Sequence, residues 1–202
     1  MLISDLRQSA KAVAGKPDAA RFHIKAGSFD ANKAVKIPMR GAAHGEYLSS
    51  TPYIDFDVGG VTQQAKEIVG TEKNAYRACA KLRAWIYGNM QTKADIGITR
   101  STSDVLESRV GVCRDYAMLF AGLARSVGIP SKIAAGLLYT SGAFYYHAWV
   151  ECYVGKWIPF DATMSTDFVD ATHIKLAEGS ATSMFSLARV IGNLKAEVKG
   201  VK

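Results

Sequence analysis

The chain has 202 residues, 49% of them hydrophobic, and a formal net charge of +7 at neutral pH. That length suits one domain burying about 70% of its extended-chain surface, with or without a short appendage. The basic residues are spread without a dense run interleaved with aromatics, which argues for a solvated surface and against specific nucleic-acid binding. No stretch reaches the roughly 18 continuous apolar residues of a membrane span, and the start lacks the apolar h-region of a secretory signal. Three cysteines cannot all pair internally, so a disulfide scaffold is not expected and the expected setting is cytoplasmic.

In chain order, residues 1–45 read as an N-terminal extension and residues 46–202 as the main domain. Within the extension, residues 4–14 read as a short helix and residues 21–24 as an alternating strand. Residues 41–53 are expected to be extended, because Pro52 disfavours helix before it. Thr62 is expected to cap a short helix ending at Val69, and Thr71 with Asn74 to open a longer helix ending near Met90 that buries Cys79. Ser101 to Asp104 has the pattern of a capping box for a short helix. After Gly111 the apolar residues Val112, Tyr116, Leu119, Phe120, Leu123 and Val127 recur at three- and four-residue spacing, predicting a helix that stops at Gly128 and Pro130. A strand over residues 132–139 and a Ser141-Gly142 turn follow, then strands over 147–152 and 157–163. Beyond Met164 the pattern predicts a short strand over 174–176, a helix over 183–191, and an edge strand from the alternation of Leu194, Ala196 and Val198.

Three polar residues in otherwise apolar elements carry the chemistry: Cys113, His147 and Asp161. A cysteine in a helix's first turn sits among unpaired backbone N–H groups at the positive end of the helix dipole, which favours a thiolate and can hold an oxyanion. His147 supplies a base, and Asp161 a carboxylate to fix its tautomer. Their alignment depends on the hairpin turn. A two-residue Gly155-Lys156 turn would set His147 and Asp161 on opposite faces. A three-residue loop of Tyr153, Val154 and Gly155, with Gly155 in the left-handed region, would close Cys152 against Lys156 and set His147 directly opposite Asp161. The second register is the expected one. Cys152 then falls on the face opposite His147.

Other polar residues receive structural readings. Asp115 is expected to complement the helix dipole, Arg114 to be solvated, and Tyr116 and Trp149 to pack, with Trp149 covering the pair. Glu151 and His173 are expected to be surface or ordinary hydrogen-bonded groups, and His23 and His44 receive no role.

The stretch from Ser101 to Met164 resembles the transglutaminase-like superfamily. The resemblance rests on Gly111-Val112-Cys113-Arg114-Asp115-Tyr116-Ala117, the Gly128-Ile129-Pro130 helix exit, His147-Ala148-Trp149-Val150-Glu151, and Asp161-Ala162-Thr163. It implies a papain-like α+β fold, in which a central helix bearing the nucleophile packs on an antiparallel sheet bearing His and Asp. It also implies acyl transfer or hydrolysis on protein or peptide amides through a thioester, with Cys113, His147 and Asp161 as a triad. Calcium used by some members is not carried over, since no EF-hand-type spacing is present, and no cofactor or metal is expected. Glu107 and Ser108 stand where papain-like proteases place a glutamine, so Cys113 N–H is the one oxyanion donor named. The alternative is a catalytically silent papain-fold module that binds other proteins.

Overall fold

The computed structural model describes residues 2–39, 44–58, 60–93, 99–180 and 194–201. The chain opens with an antiparallel hairpin, β1 (Gln8–Val13) and β2 (Lys16–Ile24), where a helix over 4–14 was expected. Long-range bonding overrides the local periodicity. The Gln8 side chain donates to the Lys175 carbonyl and accepts from the Lys175 N–H, each at 2.8 Å, so β1 is tied to a strand far along the chain. Short 3-10 turns occupy Ala31–Lys33 and Gly45–Leu48, the latter inside the segment expected to be extended.

Four helices follow in the described residues: α1 (Val61–Val69), α2 (Ala75–Asn89), α3 (Thr102–Ser108) and α4 (Cys113–Ser126). Asn74 caps α2, its side chain accepting from the Arg77 N–H at 3.0 Å, and Ser101 and Asp104 form the expected capping box on α3. Gly60, not Thr62, caps α1, because the Thr62 hydroxyl is committed to the Phe56 carbonyl at 2.9 Å. Two parallel dipeptides, β3 (Gln91–Thr92) and β4 (Val110–Gly111), hold the segment leading into α4.

Helix α4 is buried all round from Asp115 to Arg125, beyond the single apolar face that its spacing predicts. It packs on β5 (Ser131–Thr140) and β6 (Ala143–Tyr153), whose Ala148, Val150 and Cys152 join Leu119, Phe120 and Leu123 in the main core. With β7 (Trp157–Phe160) and β8 (His173–Gly179) these strands make an antiparallel sheet in the order β7-β6-β5-β8. The fold is therefore α+β, a central helix on an antiparallel sheet. The short strand expected over 174–176 is the longer β8. Residues 194–200 form no strand, and the helix expected over 183–191 lies outside the described residues.

The hairpin of β6 and β7 corrects the expected register. Tyr153 pairs with Trp157 and Val150 with Phe160, so the three-residue loop is Val154 to Lys156, not Tyr153 to Gly155. Gly155 does take a positive φ, of 109°. The shift has nonlocal causes, since Val154 is fully buried and its carbonyl accepts from the Val35 N–H at 3.1 Å, and the Tyr153 and Trp157 rings then meet across the hairpin at 5.6 Å. Asp161 then lies just past the last paired residue. Continuing the register sets it beside Trp149, one diagonal step from His147 and on the same face.

At the other edge, β8 approaches β5 so closely that a Cβ on Gly136 would stand 1.8 Å from the Ile174 carbonyl oxygen. The pairing shifts between Ala135 and Gly136, opposite His147 on the neighbouring strand. Gly136→Ala must therefore push β8 away from the sheet. It should lower unfolding free energy by about 2 kcal/mol or more in urea denaturation. A loss of only a few tenths would show that this approach is not a constraint.

Candidate active site

The start of α4 is built around a buried acid. Asp115 is fully buried, and its Oδ2 accepts from the Val112 N–H at 2.9 Å, which pins the residue preceding the helix. Arg100 Nη2 lies 3.2 Å from Oδ2, and Arg114 Nε 3.7 Å from Oδ1, so Arg114 leans on the acid where solvation was expected. Gly111 makes the room: a Cβ there would meet the Asp115 Cβ at 2.6 Å. This frame presents Cys113 as the first helical residue, half-buried, whereas Cys79 and Cys152 are buried in the core.

His147, 6% exposed, joins the thiol to a carboxylate. Its Nε2 lies 2.7 Å from Asp161 Oδ2, and Cys113 is near enough to its ring to help raise the imidazole. Asp161 Oδ1 accepts from the Thr163 N–H at 2.8 Å and from the Thr163 hydroxyl at 2.7 Å. The structure thus brings together all three residues singled out from the sequence. Trp149 stacks beside the pair, its ring 6.2 Å from that of His147 at 24°.

His173 corrects the expectation of an ordinary polar group. It is completely buried, and its Nε2 lies 3.1 Å from the same Asp161 Oδ2. A signal for it exists in the sequence. Asp161-Ala162-Thr163 recurs as Asp170-Ala171-Thr172, directly before His173. Both copies fold alike, the threonine N–H and hydroxyl donating to the aspartate Oδ1. Glu151, expected to be a surface or ordinary hydrogen-bonded group, is buried and bonded to Lys175 at 2.8 Å, with Lys132 at 3.4 Å.

Burial by itself raises the Asp161 carboxyl, but hydrogen bonds from His147, His173 and the Thr163 N–H, with the charge of the His147 imidazole, hold it well below the usual carboxylate range. Burial likewise opposes charge on His147, yet its bond to Asp161 and the nearby Cys113 raise it to about 9. The arrangement favours an imidazolium between a carboxylate and a thiol, which is the setting that stabilises a thiolate. His147, Asp161 and His173 also place ligand atoms within 4.8 Å of one another. A cation there would have to displace the protons through which both rings share Oδ2.

A papain-like core with a cysteine at the start of its central helix defines a class, and the comparisons agree with it. Residues 62–162 match the profile of the transglutaminase-like superfamily, and the chain belongs to that superfamily. The crystal structure of a candidate cysteine protease from Cytophaga hutchinsonii superposes with a TM-score of 0.62 at 27% identity, covering 75% of this chain and 52% of that one. An uncharacterised Haemophilus influenzae protein is 27% identical over 164 residues, 66% of this chain and 42% of its own length. An uncharacterised Mycobacterium leprae protein is 29% identical over 82 residues, 37% of this chain and 29% of that protein. The chain therefore spans about half or less of these relatives. Among the described residues no helix is long and apolar enough to cross a membrane.

The raised His147 has a signed consequence for stability. Its folded value of about 9 exceeds the ordinary 6.5, so the contribution is complete below about pH 6.5 and is lost as pH rises through about 9. Urea denaturation of wild type and His147→Gln should differ most near pH 6, by on the order of 2–3 kcal/mol, and least near pH 10. A difference that grows with pH would contradict this charge assignment.

Proposed function

We propose that this chain is a cysteine-dependent acyl-transfer enzyme acting on protein or peptide amides, with Cys113 as nucleophile, His147 as base and Asp161 orienting the base. The observation that carries the reading is the His147–Asp161 hydrogen bond of 2.7 Å, set beside Cys113 at a half-buried helix start. The thiolate adds to the amide carbonyl carbon. The oxygen that gains charge is stabilised by the Cys113 N–H, which by its place in the first turn has no intrahelical acceptor. The imidazolium gives its proton to the departing amine, the C–N bond breaks, and a thioester remains. His147 then takes a proton from the incoming acceptor, whose attack releases the acyl group and restores the thiolate and the imidazolium.

Water as acceptor gives hydrolysis, and a primary amine gives a new amide. Likeness to a candidate cysteine protease from Cytophaga hutchinsonii supports hydrolysis as the first reaction to assay. The silent-module reading has no comparable support, because a thiol kept only for packing needs no base at its side.

Iodoacetamide alkylation across pH, mapped by peptide mass, tests the assignment independently of substrate. Cys113 should label well below the ordinary thiol value of about 8.5, faster than Cys79 and Cys152, and His147→Ala should abolish that low-pH reactivity. Equal labelling of Cys113 in wild type and variant at low pH would remove the nucleophile from this scheme. Released peptide fragments against incorporated amine then separates hydrolase from transferase.

A further inference from the structure

We propose that His173 is a positioning residue for this site: by donating from Nε2 it pins Asp161, and through Asp161 it sets the pH range in which Cys113 is nucleophilic. The inference rests on the Cys113, His147 and Asp161 reading and extends it to a fourth side chain.

Asp161 is held at both of its carboxylate oxygens. Thr163 grips Oδ1 with two hydrogen bonds, its N–H at 2.8 Å and its hydroxyl at 2.7 Å. That grip leaves the carboxylate free to twist about its own axis and carry Oδ2 away from the base. Oδ2 has two acceptor directions, one taken by His147 at 2.7 Å and the other by His173 at 3.1 Å. Only the second is independent of the base that moves protons, so it fixes where the carboxylate points.

His173 is itself held more firmly than a space-filling ring requires. Its Nδ1 lies 3.1 Å from Asp170 Oδ1 and 3.3 Å from the Thr172 hydroxyl. Its ring meets Trp149 edge-on at 5.3 Å. Arg7, from the N-terminal segment, donates from Nη2 to the Asp170 carbonyl at 2.6 Å and the His173 carbonyl at 3.3 Å, clamping the turn from behind. The charged and titratable groups gathered here are Cys113 and Arg114 on α4, Tyr146 and His147 on β6, Asp161 after β7, Asp170 before β8, and Arg7. The buried carboxylate must stay ionised and aimed for the imidazolium to be stabilised. Losing one donor weakens both conditions, and the thiolate becomes harder to form.

Two isosteric substitutions separate positioning from packing. A glutamine amide nitrogen reaches the place of Nε2, and an asparagine amide nitrogen the place of Nδ1. His173→Asn therefore keeps the Asp170 side and drops Asp161, and His173→Gln does the reverse. In Cys113 alkylation, His173→Asn should move the acid limb up by roughly one pH unit, about a tenfold slower rate on that limb, and His173→Gln should leave it near the wild-type position. Wild-type profiles for both folded variants, or equal shifts that track lost thermal stability, would overturn the proposal and leave His173 a packing residue. Absence of His147-dependent low-pH reactivity in wild type would instead overturn the triad reading. Should neither variant fold, imidazole nitrogen NMR of the unsubstituted protein decides. A proton on His173 Nε2 at neutral pH supports the proposal, and a ring protonated at Nδ1 alone overturns it.

Discussion

A buried carboxylate must be met by donors, and the sheet around Asp161 is arranged to supply them. The residue is 2% exposed and is reached by Thr163 from its own turn, by His147 from β6 and by His173 from β8. An ionised group buried without such partners would cost several kcal/mol, so these segments are bound to one geometry. Gly136 completes the constraint. It admits the β8 backbone close enough for His173 to share the oxygen that His147 uses.

A second set of buried charges stands on the same face and fixes the sheet to the N-terminal segment. Lys175 Nζ lies 2.8 Å from Glu151 and 2.8 Å from Asp5, with Glu178 at 2.6 Å, and Lys132 bridges Glu151 and Glu178. Burial opposes charge on Lys175, but the carboxylates around it hold the ammonium above its ordinary range. Arg7 and Gln8 bond the same strand. The segment that reads as an extension therefore braces β8, and through β8 the turn that carries His173.

The legible parts of the chain were those decided locally. Ser101 to Asp104 makes its capping box and Asn74 its cap, because both signals depend only on residues within one turn. Cys113 stands at a helix start as the spacing predicts. The hairpin is instructive, because the expected loop had the right length but the wrong residues. A slip of one residue in both strands moves each partner by two, which preserves the face, so His147 and Asp161 still meet. What displaced the loop was the burial of Val154 and its bond to Val35, contacts between segments far apart in sequence. The same kind of contact turned residues 8–13 into a strand and drew Glu151 and His173 inside. His173 left a faint trace in the repeated Asp-Ala-Thr, readable only once the first copy had been seen to fold as a carboxylate-holding turn.

The central claim is a thiolate at Cys113 made possible by His147 and sustained by Asp161. Its most direct test is the ultraviolet absorbance of the thiolate, followed against pH as the difference between wild type and Cys113→Ser, and repeated in an Asp161→Asn background. The thiolate band is expected to emerge below the ordinary thiol value of about 8.5 and to move towards that value when Asp161 is neutralised. A band that emerges only near 8.5, and is indifferent to Asp161, would contradict it.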